Sequence, residues 1–243
     1  MKYKLLVLTA ALASQVHVNK AHAEDNQIQG APYLTVGNGG SCDYSSIQAA
    51  IDSTLSNVIR IASNKIYFEN VVIDDRDMVL TGGYADCSAA NINITDSSKA
   101  IIDGGNSGSV VLVSGNNQER EVDIRHLLIG NGNSGLMSLA DVHLNVNDVT
   151  IINNNNVGAF IFGGDNSVTF DDLVITSNDG PGIICSGQNN SVNIVGESSI
   201  SDNDTQGSGG GLSITDGCTA NLYAPTKVEN NTAVGYGGGI NVK

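Results

Sequence analysis

The sequence predicts an all-β fold, a parallel β-helix in which each coil of the chain adds one strand to each face of a solenoid. Between Leu128 and Ile240 one pattern recurs five times: an apolar residue, Asn three positions later, and then Gly followed by an apolar residue. The Asn residues recur at intervals of 23 to 28 positions, a period typical of solenoids. Between them apolar and polar residues alternate, as in Leu144-Asn145-Val146, and no segment of the repeats has helical spacing.

The recurring Asn is predicted to lie at one corner of every coil. Asn tolerates the left-handed backbone of a tight corner, and its amide can hydrogen-bond to an identical amide one coil away, at a strand spacing of about 4.8 Å. Ordinary turn residues would explain each Asn alone, but the shared register with a Gly-apolar pair favours stacking. We therefore predict an asparagine ladder made of Asn131, Asn154, Asn178, Asn203 and Asn231.

The late repeats carry a family resemblance. The segments Gly209-Gly210-Gly211-Leu212 and Gly237-Gly238-Gly239-Ile240, the second preceded by Val228-Glu229-Asn230-Asn231, resemble the FxxN and GGA[ILV] repeats of polymorphic outer membrane proteins and related autotransporter passengers, with aliphatic residues in place of Phe. From about Tyr33 onward the chain is similar to the pectate-lyase-like superfamily, which implies a single-stranded right-handed parallel β-helix. That superfamily contains lyases, hydrolases, esterases, adhesins and proteins with no known activity, so the resemblance implies no single function.

Residues 1–23 are predicted to be a secretory signal peptide. Lys2 and Lys4 precede an apolar run from Leu5 to Ala13, and Ala21-His22-Ala23 suits a cleavage site. The run is too short to span a bilayer, and no other stretch is long and apolar enough. The protein is therefore expected to be secreted or displayed at the cell surface, without a transmembrane segment in this chain.

The charge excludes several partners. The net charge is −14, and removal of Lys2, Lys4 and Lys20 with the signal peptide would make it −17. Such a surface argues against nucleic acid, anionic lipid and polyanionic substrates, while it suits either solubility alone or basic partners and cations. Few aromatic residues and no Trp also leave little of the stacking surface on which many sugar sites rely.

Residues 24–57 are predicted to form a polar lead and a capping helix. Tyr33-Leu34-Thr35-Val36 suits a first strand, and the helix is expected within Ser45–Asp52, with Ser45 and Gln48 as a capping box. An amphipathic helix would cover the apolar end of the first coil. SIQAAID also resembles the usual start of the superfamily. The predicted apolar face of the helix consists of Ile47, Ala50, Ile51 and Leu55.

Residues 58–243 are predicted to form the β-helix itself. Gly239 to Lys243 suits the opening strand of another coil, whereas solenoids normally close with an atypical capping repeat. We expect the chain to be truncated at its C-terminal end relative to a longer repeat protein. The alternative is that the open end pairs with a partner or with another copy.

The four cysteines favour disulfides in an exported protein. Cys42 and Cys87 flank the cap and the first coil, so a bond between them is predicted to fasten the cap. Cys185 and Cys218 lie in neighbouring coils, but aligning the strands that follow them places Cys185 opposite Ser213. A second bond would then require movement of the chain, and it is left open.

Motifs of pectin methylesterases are present only in part. Ile66-Tyr67-Phe68-Glu69-Asn70-Val71 resembles their GxYxE segment, and Phe160-Ile161-Phe162-Gly163 resembles part of their DFIFG segment. Ala159 stands where that resemblance requires the nucleophilic Asp, which removes the carboxylate that would attack the ester. Tyr67 is therefore predicted to pack on the coil, and Glu69 to bond to backbone at a turn.

A pectate-lyase site is not recognisable either. Such a site needs Ca²⁺ held by carboxylates and a basic side chain to take the proton beside the uronate. From Leu128 onward the only Lys or Arg residues are Lys227 and Lys243. The motifs typical of polygalacturonases, NTD and RIK, are absent too.

One group of carboxylates remains as a candidate site. A 24-residue offset aligns Asp148 with Asp172, one coil apart, with Asp171 beside it. Stacked carboxylates at the coil spacing could act as the close pair of a retaining glycosidase, about 5–5.5 Å apart, or could share a Ca²⁺. The alternative is a set of solvated surface acids. His143 is expected to be an exposed polar residue rather than a base, and no cofactor other than Ca²⁺ is expected.

The sequence thus favours a secreted or surface-exposed repeat protein without catalysis, an adhesin-like or glycan-contacting scaffold whose partner is a polysaccharide or a host-cell surface glycan. The alternative is a polysaccharide-degrading enzyme, a lyase or a glycoside hydrolase. A third hypothesis is a truncated passenger whose missing C-terminal part anchored it in the outer membrane.

Overall fold

The computed structural model describes residues 32–243, so the predicted signal peptide and the start of the predicted lead lie outside the described residues. The described chain is an all-β parallel solenoid, which confirms the predicted fold class. It contains two short helices, α1 (Ile47–Asp52) and α2 (Cys87–Asn91). Within this part of the chain, no helix has both the length and the apolar character needed to cross a bilayer.

The strands are short and follow one another around the solenoid. In chain order they are β1 (Tyr33–Val36), β2 (Val58–Ala62), β3 (Ile66–Phe68), β4 (Val71–Asp74), β5 (Met78–Tyr84), β6 (Ala100–Asp103), β7 (Ser109–Ser114), β8 (Arg120–Arg125), β9 (Leu127–Gly130), β10 (Ser134–Leu139), β11 (Val142–Asn147), β12 (Thr150–Ile152), β13 (Val157–Phe162), β14 (Ser167–Asp171), β15 (Val174–Thr176), β16 (Ile183–Ser186), β17 (Ser191–Val195), β18 (Ser199–Ser201), β19 (Asp204–Thr205), β20 (Leu212–Thr215), β21 (Thr219–Leu222), β22 (Lys227–Glu229), β23 (Thr232–Ala233) and β24 (Ile240–Val242).

Three parallel sheets form the faces of the solenoid. The first sheet has the order β1-β2-β5-β8-β11-β14-β17-β21, the second β22-β18-β15-β12-β9-β6-β3, and the third β24-β20-β16-β13-β10-β7-β4. A complete coil therefore adds one strand to each sheet in turn, as β11, β12 and β13 do. A small fourth sheet pairs β19 with β23.

The core is a set of stacked apolar rows inside the solenoid. In most strands before the last coil alternate residues point inward and are buried, and the parallel register places each above its counterpart one coil away. Val146, Phe170 and Ile194 form one such row. Burial of each of these side chains contributes about 1.5–3 kcal/mol, and because the rows run through all coils the stability is shared between neighbours.

Helix α1 covers the first coil, but its capping differs from the prediction. The N-cap is Ser46, not Ser45, and the carboxylate of Glu69 accepts hydrogen bonds from the backbone N–H groups of Ile47 (2.9 Å) and Gln48 (3.1 Å). The prediction that Glu69 bonds to backbone is thus confirmed, but the contact lies at the N-terminus of α1 and not at a turn. Leu55 lies beyond the end of the helix and is 70% exposed, so the predicted apolar face stops at Ile51.

Tyr67 packs on the coil as predicted. Its side chain is buried, and its hydroxyl lies 2.7 Å from the carbonyl oxygen of Ala62 and 3.0 Å from that of Val36. Burial, together with the nearby charge of Glu69, raises the pKa of the hydroxyl well above its ordinary value. A side chain so enclosed is structural.

Both cysteine pairs are bonded. Cys42 is joined to Cys87, the first residue of α2, with their Cα atoms 5.2 Å apart. Cys185 is joined to Cys218 with a Cα separation of 5.9 Å, so the expectation that this bond would require chain movement was wrong. Cys185 pairs in the backbone register with Ile214 of the next coil, but Cys218 lies at the following corner, where its side chain turns inward and reaches Cys185.

The asparagine ladder runs along the corner between the second and third sheets. The side-chain amides of Asn154, Asn178 and Asn203 each donate to the amide oxygen of the next ladder residue, at 2.9, 2.8 and 2.9 Å, ending on Asn231. The same oxygens accept the backbone N–H groups of the preceding ladder residues. Each buried amide therefore satisfies the one beside it, as burial of polar groups requires.

Asn131 was wrongly assigned to this ladder. The register pairs Ile151 with Ile129, which places Gly132, not Asn131, at the ladder position. A Cβ atom at Gly132 would lie 2.5 Å from the Cγ2 atom of Val110, so no Asn fits there. Asn131 instead is exposed, and its amide donates to Asp103 (2.8 Å). The ladder therefore begins one coil later, where Gly132 N–H donates to Asn154.

A second, shorter ladder lies at the corner between the third and first sheets. The buried amide of Asn166 donates to the amide oxygen of Asn190 (3.0 Å), and Ser138 donates to Asn166 (3.1 Å). Sequence analysis missed it, although Asn166 and Asn190 precede two strands that recur at the same spacing.

Candidate functional site

Ionisable side chains line the corner between the first and second sheets. At this corner each coil turns on a single left-handed residue, namely His126 (φ 53°), Asp148 (φ 49°) and Asp172 (φ 52°) in successive coils. The register of β6 with β9 places Lys99 at the same level as His126, one coil earlier. We call these four residues the ionic corner. The residue after each left-handed one is apolar and buried, so the turn residue itself faces outward.

The carboxylate of Asp148 contacts the side chains of Lys99 and His126. Its Oδ1 atom lies 2.9 Å from Nζ of Lys99, and its Oδ2 atom lies 2.9 Å from Nδ1 of His126. Lys99 also donates to the hydroxyl of Thr150 (3.1 Å). The side chains are half-buried, with 23% of Lys99, 34% of His126 and 40% of Asp148 exposed. Burial alone would raise the pKa of Asp148, but the hydrogen bonds and charges of Lys99 and His126 outweigh it and lower that pKa.

The His126–Asp148 contact has the form of an oriented base. A carboxylate that accepts from Nδ1–H fixes the orientation of a neutral imidazole and leaves Nε2 as the proton acceptor. Gly83 packs against this ring, and a Cβ atom there would lie 3.3 Å from its Cδ2 atom. Among residues 32–243, no hydroxyl or thiol hydrogen-bonds to the His126 ring.

Asp148 and Asp172, which were predicted to stack, bond to different partners. Asp148 faces the earlier coils, whereas Oδ1 of Asp172 accepts the backbone N–H of Glu197 (2.7 Å) in the following coil. Asp171 accepts from the amide of Asn147 (3.3 Å). These contacts do not favour a shared proton or nucleophile. Among the described residues no three His, Cys, Asp or Glu side chains converge as metal ligands, and the Ca²⁺ hypothesis stays a prediction.

Lys99 and His126 were missed by sequence analysis. The repeats used to align the coils begin at Leu128, just after His126, and the first coils differ in length from the later ones. Alignment of Ala100 with Leu127 would have brought both residues to the level of Asp148. His143, in contrast, lies on the surface beside Glu119, with Nε2 and Oε1 2.7 Å apart, as expected for an exposed polar residue.

The outer faces of the sheets are continuous and in register. On the first sheet one outward position carries only polar side chains through five successive coils, and Asn221 donates to Asn193 (3.0 Å) within it. We call this the polar row. It consists of Asp123, Asn145, Thr169, Asn193 and Asn221.

The fold and these sites define the protein as a disulfide-bonded parallel β-helix. Comparison with protein-family models, with curated proteins and with solved structures found no match. The structure shows the fold, whereas kinship with the pectate-lyase-like superfamily stays a resemblance of motifs.

Proposed function

We propose that the protein is a secreted or surface-exposed scaffold without catalytic activity, adhesin-like, which contacts a polysaccharide or a host-cell surface glycan. The observation that carries the proposal is the set of straight, in-register side-chain rows on its outer faces. A linear glycan also repeats one chemical unit along its length, so a row that repeats once per coil can contact it at many successive positions. Individually weak contacts then add along the chain.

Two further observations support this proposal. Two of the three candidate carboxylates are engaged by neighbouring coils, Asp148 by Lys99 and His126 and Asp172 by the backbone of Glu197. Both cysteine pairs are oxidised, which fits an extracellular or otherwise oxidising compartment. Disulfides and repeated coils together suit a rigid surface protein.

A binding and turnover experiment tests the proposal. Purified protein is applied to an array of plant, fungal, bacterial and animal glycans, and the same glycans are then assayed in solution for new reducing ends and for unsaturated uronates. We expect binding to at least one glycan and no turnover. Absence of binding across the array, from protein with the circular dichroism of a folded β protein, would refute the proposal.

The His126–Asp148 contact favours a second candidate function, a polysaccharide-degrading enzyme in which His126 acts as base. If turnover occurs, His126→Gln should abolish it and His143→Gln should not, because His143 pairs only with the exposed Glu119. Equal loss in both variants, or in neither, would exclude this corner as the catalytic site.

A further inference from the structure

The outer face of the third sheet carries an unbroken row of apolar side chains. Backbone register aligns one outward position through five successive coils, from β4 to β16. We call these residues the apolar row. They are Val72, Leu112, Met137, Phe160 and Ile184. The same position then becomes polar, at Ser213 and Asn241.

All members of the apolar row are partly exposed, while their neighbours along each strand point inward and are buried. Val72 is 40% exposed at one end of the row. Near the centre, Phe162 is 49% exposed and its ring centroid lies 5.4 Å from that of Phe160. Single exposed apolar residues are ordinary. Here five of them lie in register on adjacent strands and form one continuous surface that a linear ligand can contact.

The other two outer faces lack such a row. The equivalent position on the first sheet is the polar row, with amide, hydroxyl and carboxylate groups throughout. On the second sheet the row begins with Ile66, Ile101 and Leu128 but is interrupted at the fourth strand by Thr150. The third sheet alone therefore offers a straight apolar surface through five coils of the described chain.

The length and width of the apolar row suit a narrow ligand. Five coils span about 19 Å and the row is one to two side chains wide, which gives an area on the order of 200 Å². A stable interface between folded proteins buries about 800 Å² on each partner. The row is thus too small to hold a second copy of the chain, but it has the length and width of a single linear polymer.

The repeat distance distinguishes a glycan from a peptide. Side chains on one face of an extended peptide recur at about 6.6–6.8 Å, which does not match the coil spacing of about 4.8 Å. A pyranose ring in a linear chain has a length close to that coil spacing, and its face of C–H groups is apolar. Successive rings can therefore each lie on one apolar side chain, and Phe160 offers the flat ring surface that such C–H faces prefer.

The surroundings of the apolar row select a neutral glycan. The neighbouring outward positions carry Ser114 and Ser186, whose hydroxyls can bond to sugar hydroxyls at the edge of a ring. Asp74 is the charged residue at that level, and none of the outward residues that share these two positions in β4, β7, β10, β13 and β16 is Lys or Arg. Arg76 shares a pocket with Val72 and Asp74 at the first end of the row. There it bonds to the backbone oxygens of Ile51 and Ser56. Along the outward positions from β7 to β16 a uronate or sulfate would meet no countercharge, while the chain carries a net charge of −14.

We propose that the apolar row is the binding platform for one chain of a neutral linear polysaccharide, which lies parallel to the solenoid axis with about one sugar ring per coil. This inference rests on the proposed function and names the face and the class of glycan. The sequence had suggested too little aromatic surface for sugar stacking; the structure shows that Phe160 and Phe162 lie side by side on one outer face. The aliphatic members of the row extend that surface.

Calorimetric titration with cellohexaose, mannohexaose, laminarihexaose and hexagalacturonate tests the proposal. We expect one or more of the three neutral hexasaccharides to bind, with affinity that rises from disaccharide to hexasaccharide, and hexagalacturonate not to bind. Met137→Thr combined with Phe160→Thr should weaken binding by about tenfold or more, since two stacking contacts are removed. The matched control, Asn145→Thr combined with Asn193→Thr in the polar row, should change affinity less than about twofold. Ser213→Ile should tighten binding, because it extends the apolar row by one coil.

The outcomes separate the inference from the function on which it rests. If a glycan binds but the Met137/Phe160 variant binds it equally well, the platform lies elsewhere and only the inference fails. If neither this set nor the wider array contains a ligand, the proposed function fails with it. A wild-type dimer in sedimentation equilibrium that the Met137/Phe160 variant dissociates would assign the row to a second copy and overturn the inference. Circular dichroism and thermal unfolding establish that each variant is folded, and Ile184→Thr provides a milder change at the edge of the row.

Discussion

Two corners flank the second sheet: the ladder corner, which contains the asparagine ladder, and the ionic corner. Both have the same backbone conformation, but their polar side chains point in opposite directions. Each turns on one left-handed residue in several successive coils, such as Ser177 (φ 57°) at the ladder corner and Asp148 (φ 49°) at the ionic corner. At the ladder corner the next residue is an inward, buried Asn; at the ionic corner it is an inward aliphatic residue, such as Val149. The polar side chains are therefore buried at the ladder corner and point toward solvent at the ionic corner.

This difference explains why one corner repeats and the other varies. A buried amide must find its hydrogen bonds inside the protein, and an identical amide one coil away supplies both donor and acceptor at the right height. An outward residue can bond to water, so its identity is free to change. The ladder corner is accordingly Asn four times over, whereas the ionic corner reads Lys99, His126, Asp148 and Asp172. The first corner holds the solenoid together, and the second is open to other roles.

The strongest test of the comparison is Asn178→Ala in the centre of the ladder. It removes the oxygen that accepts the Asn154 side-chain amide and backbone N–H, and one of the two donors to Asn203 Oδ1. The backbone N–H of residue 178 still reaches Asn203 Oδ1, so the group left unpaired is the buried backbone N–H of Asn154, beside the space that the lost amide filled. We expect the free energy of unfolding to fall by about 3–5 kcal/mol. Urea denaturation followed by circular dichroism measures the change.

Asn193→Ala is the matched control for that experiment. Asn193 lies on the outer face of the first sheet and accepts a single bond, from Asn221. Its loss should cost about 0.5 kcal/mol or less. Equal losses in the two variants would show that burial does not distinguish ladder amides from surface amides.

At the ionic corner the expected effects are smaller. Asp148→Asn tolerates the left-handed backbone but removes the charge that pairs with Lys99 and His126. Because these side chains are partly exposed and screened, we expect a loss of about 1 kcal/mol at neutral pH. Asp165→Asn is the control, since Asp165 is also left-handed and exposed but bonds only to the neutral Asn189. A loss above about 3 kcal/mol in the Asp148 variant would place this corner among the structural elements.

The same carboxylate should make part of the stability depend on pH. The pKa of Asp148 is lower in the folded protein than its ordinary value of 3.8, because Lys99 and His126 favour the charged form. Its contribution is therefore complete above that value and disappears as the pH falls through the lower pKa of the folded state. The difference in unfolding free energy between wild type and Asp148→Asn should shrink as the pH is lowered through this range. A constant difference would show that the charge of Asp148 contributes nothing.

The fold and the ladder corner could be predicted from the sequence more completely than the outer surfaces could. Period, alternation and the Asn repeats follow from burial, which acts on every coil alike, and so Asn154, Asn178, Asn203 and Asn231 could be assigned from spacing. Where a coil changes length, spacing fails. Three errors occur beside irregular coils or at corners. They concern the positions of Lys99 and His126 next to Asp148, the Cys185–Cys218 bond, and the assignment of Asn131 to the ladder. The apolar row was missed for another reason: outward and inward apolar residues look alike until the register is known.

The smallest predicted effect concerns Asn131, at the point where the two kinds of position are most easily confused. Asn131 has the spacing of a ladder residue, but it is the outward left-handed residue of its coil (φ 55°), and its amide bonds only to the side chain of Asp103. Asn131→Gly keeps the left-handed backbone without strain and should cost about 0.5 kcal/mol or less, whereas Asn154→Gly, one coil later and in the ladder, should cost several-fold more. Comparison of the two unfolding curves decides where the ladder starts, because a loss at Asn131 as large as that at Asn154 would require its amide to be buried in the stack. A small loss of unfolding free energy in Asn131→Gly would mean that the polar residue of this corner is exposed in the coil of Asn131 and buried in the next coil. The ladder position in the coil of Asn131 is Gly132, where a side chain has no room.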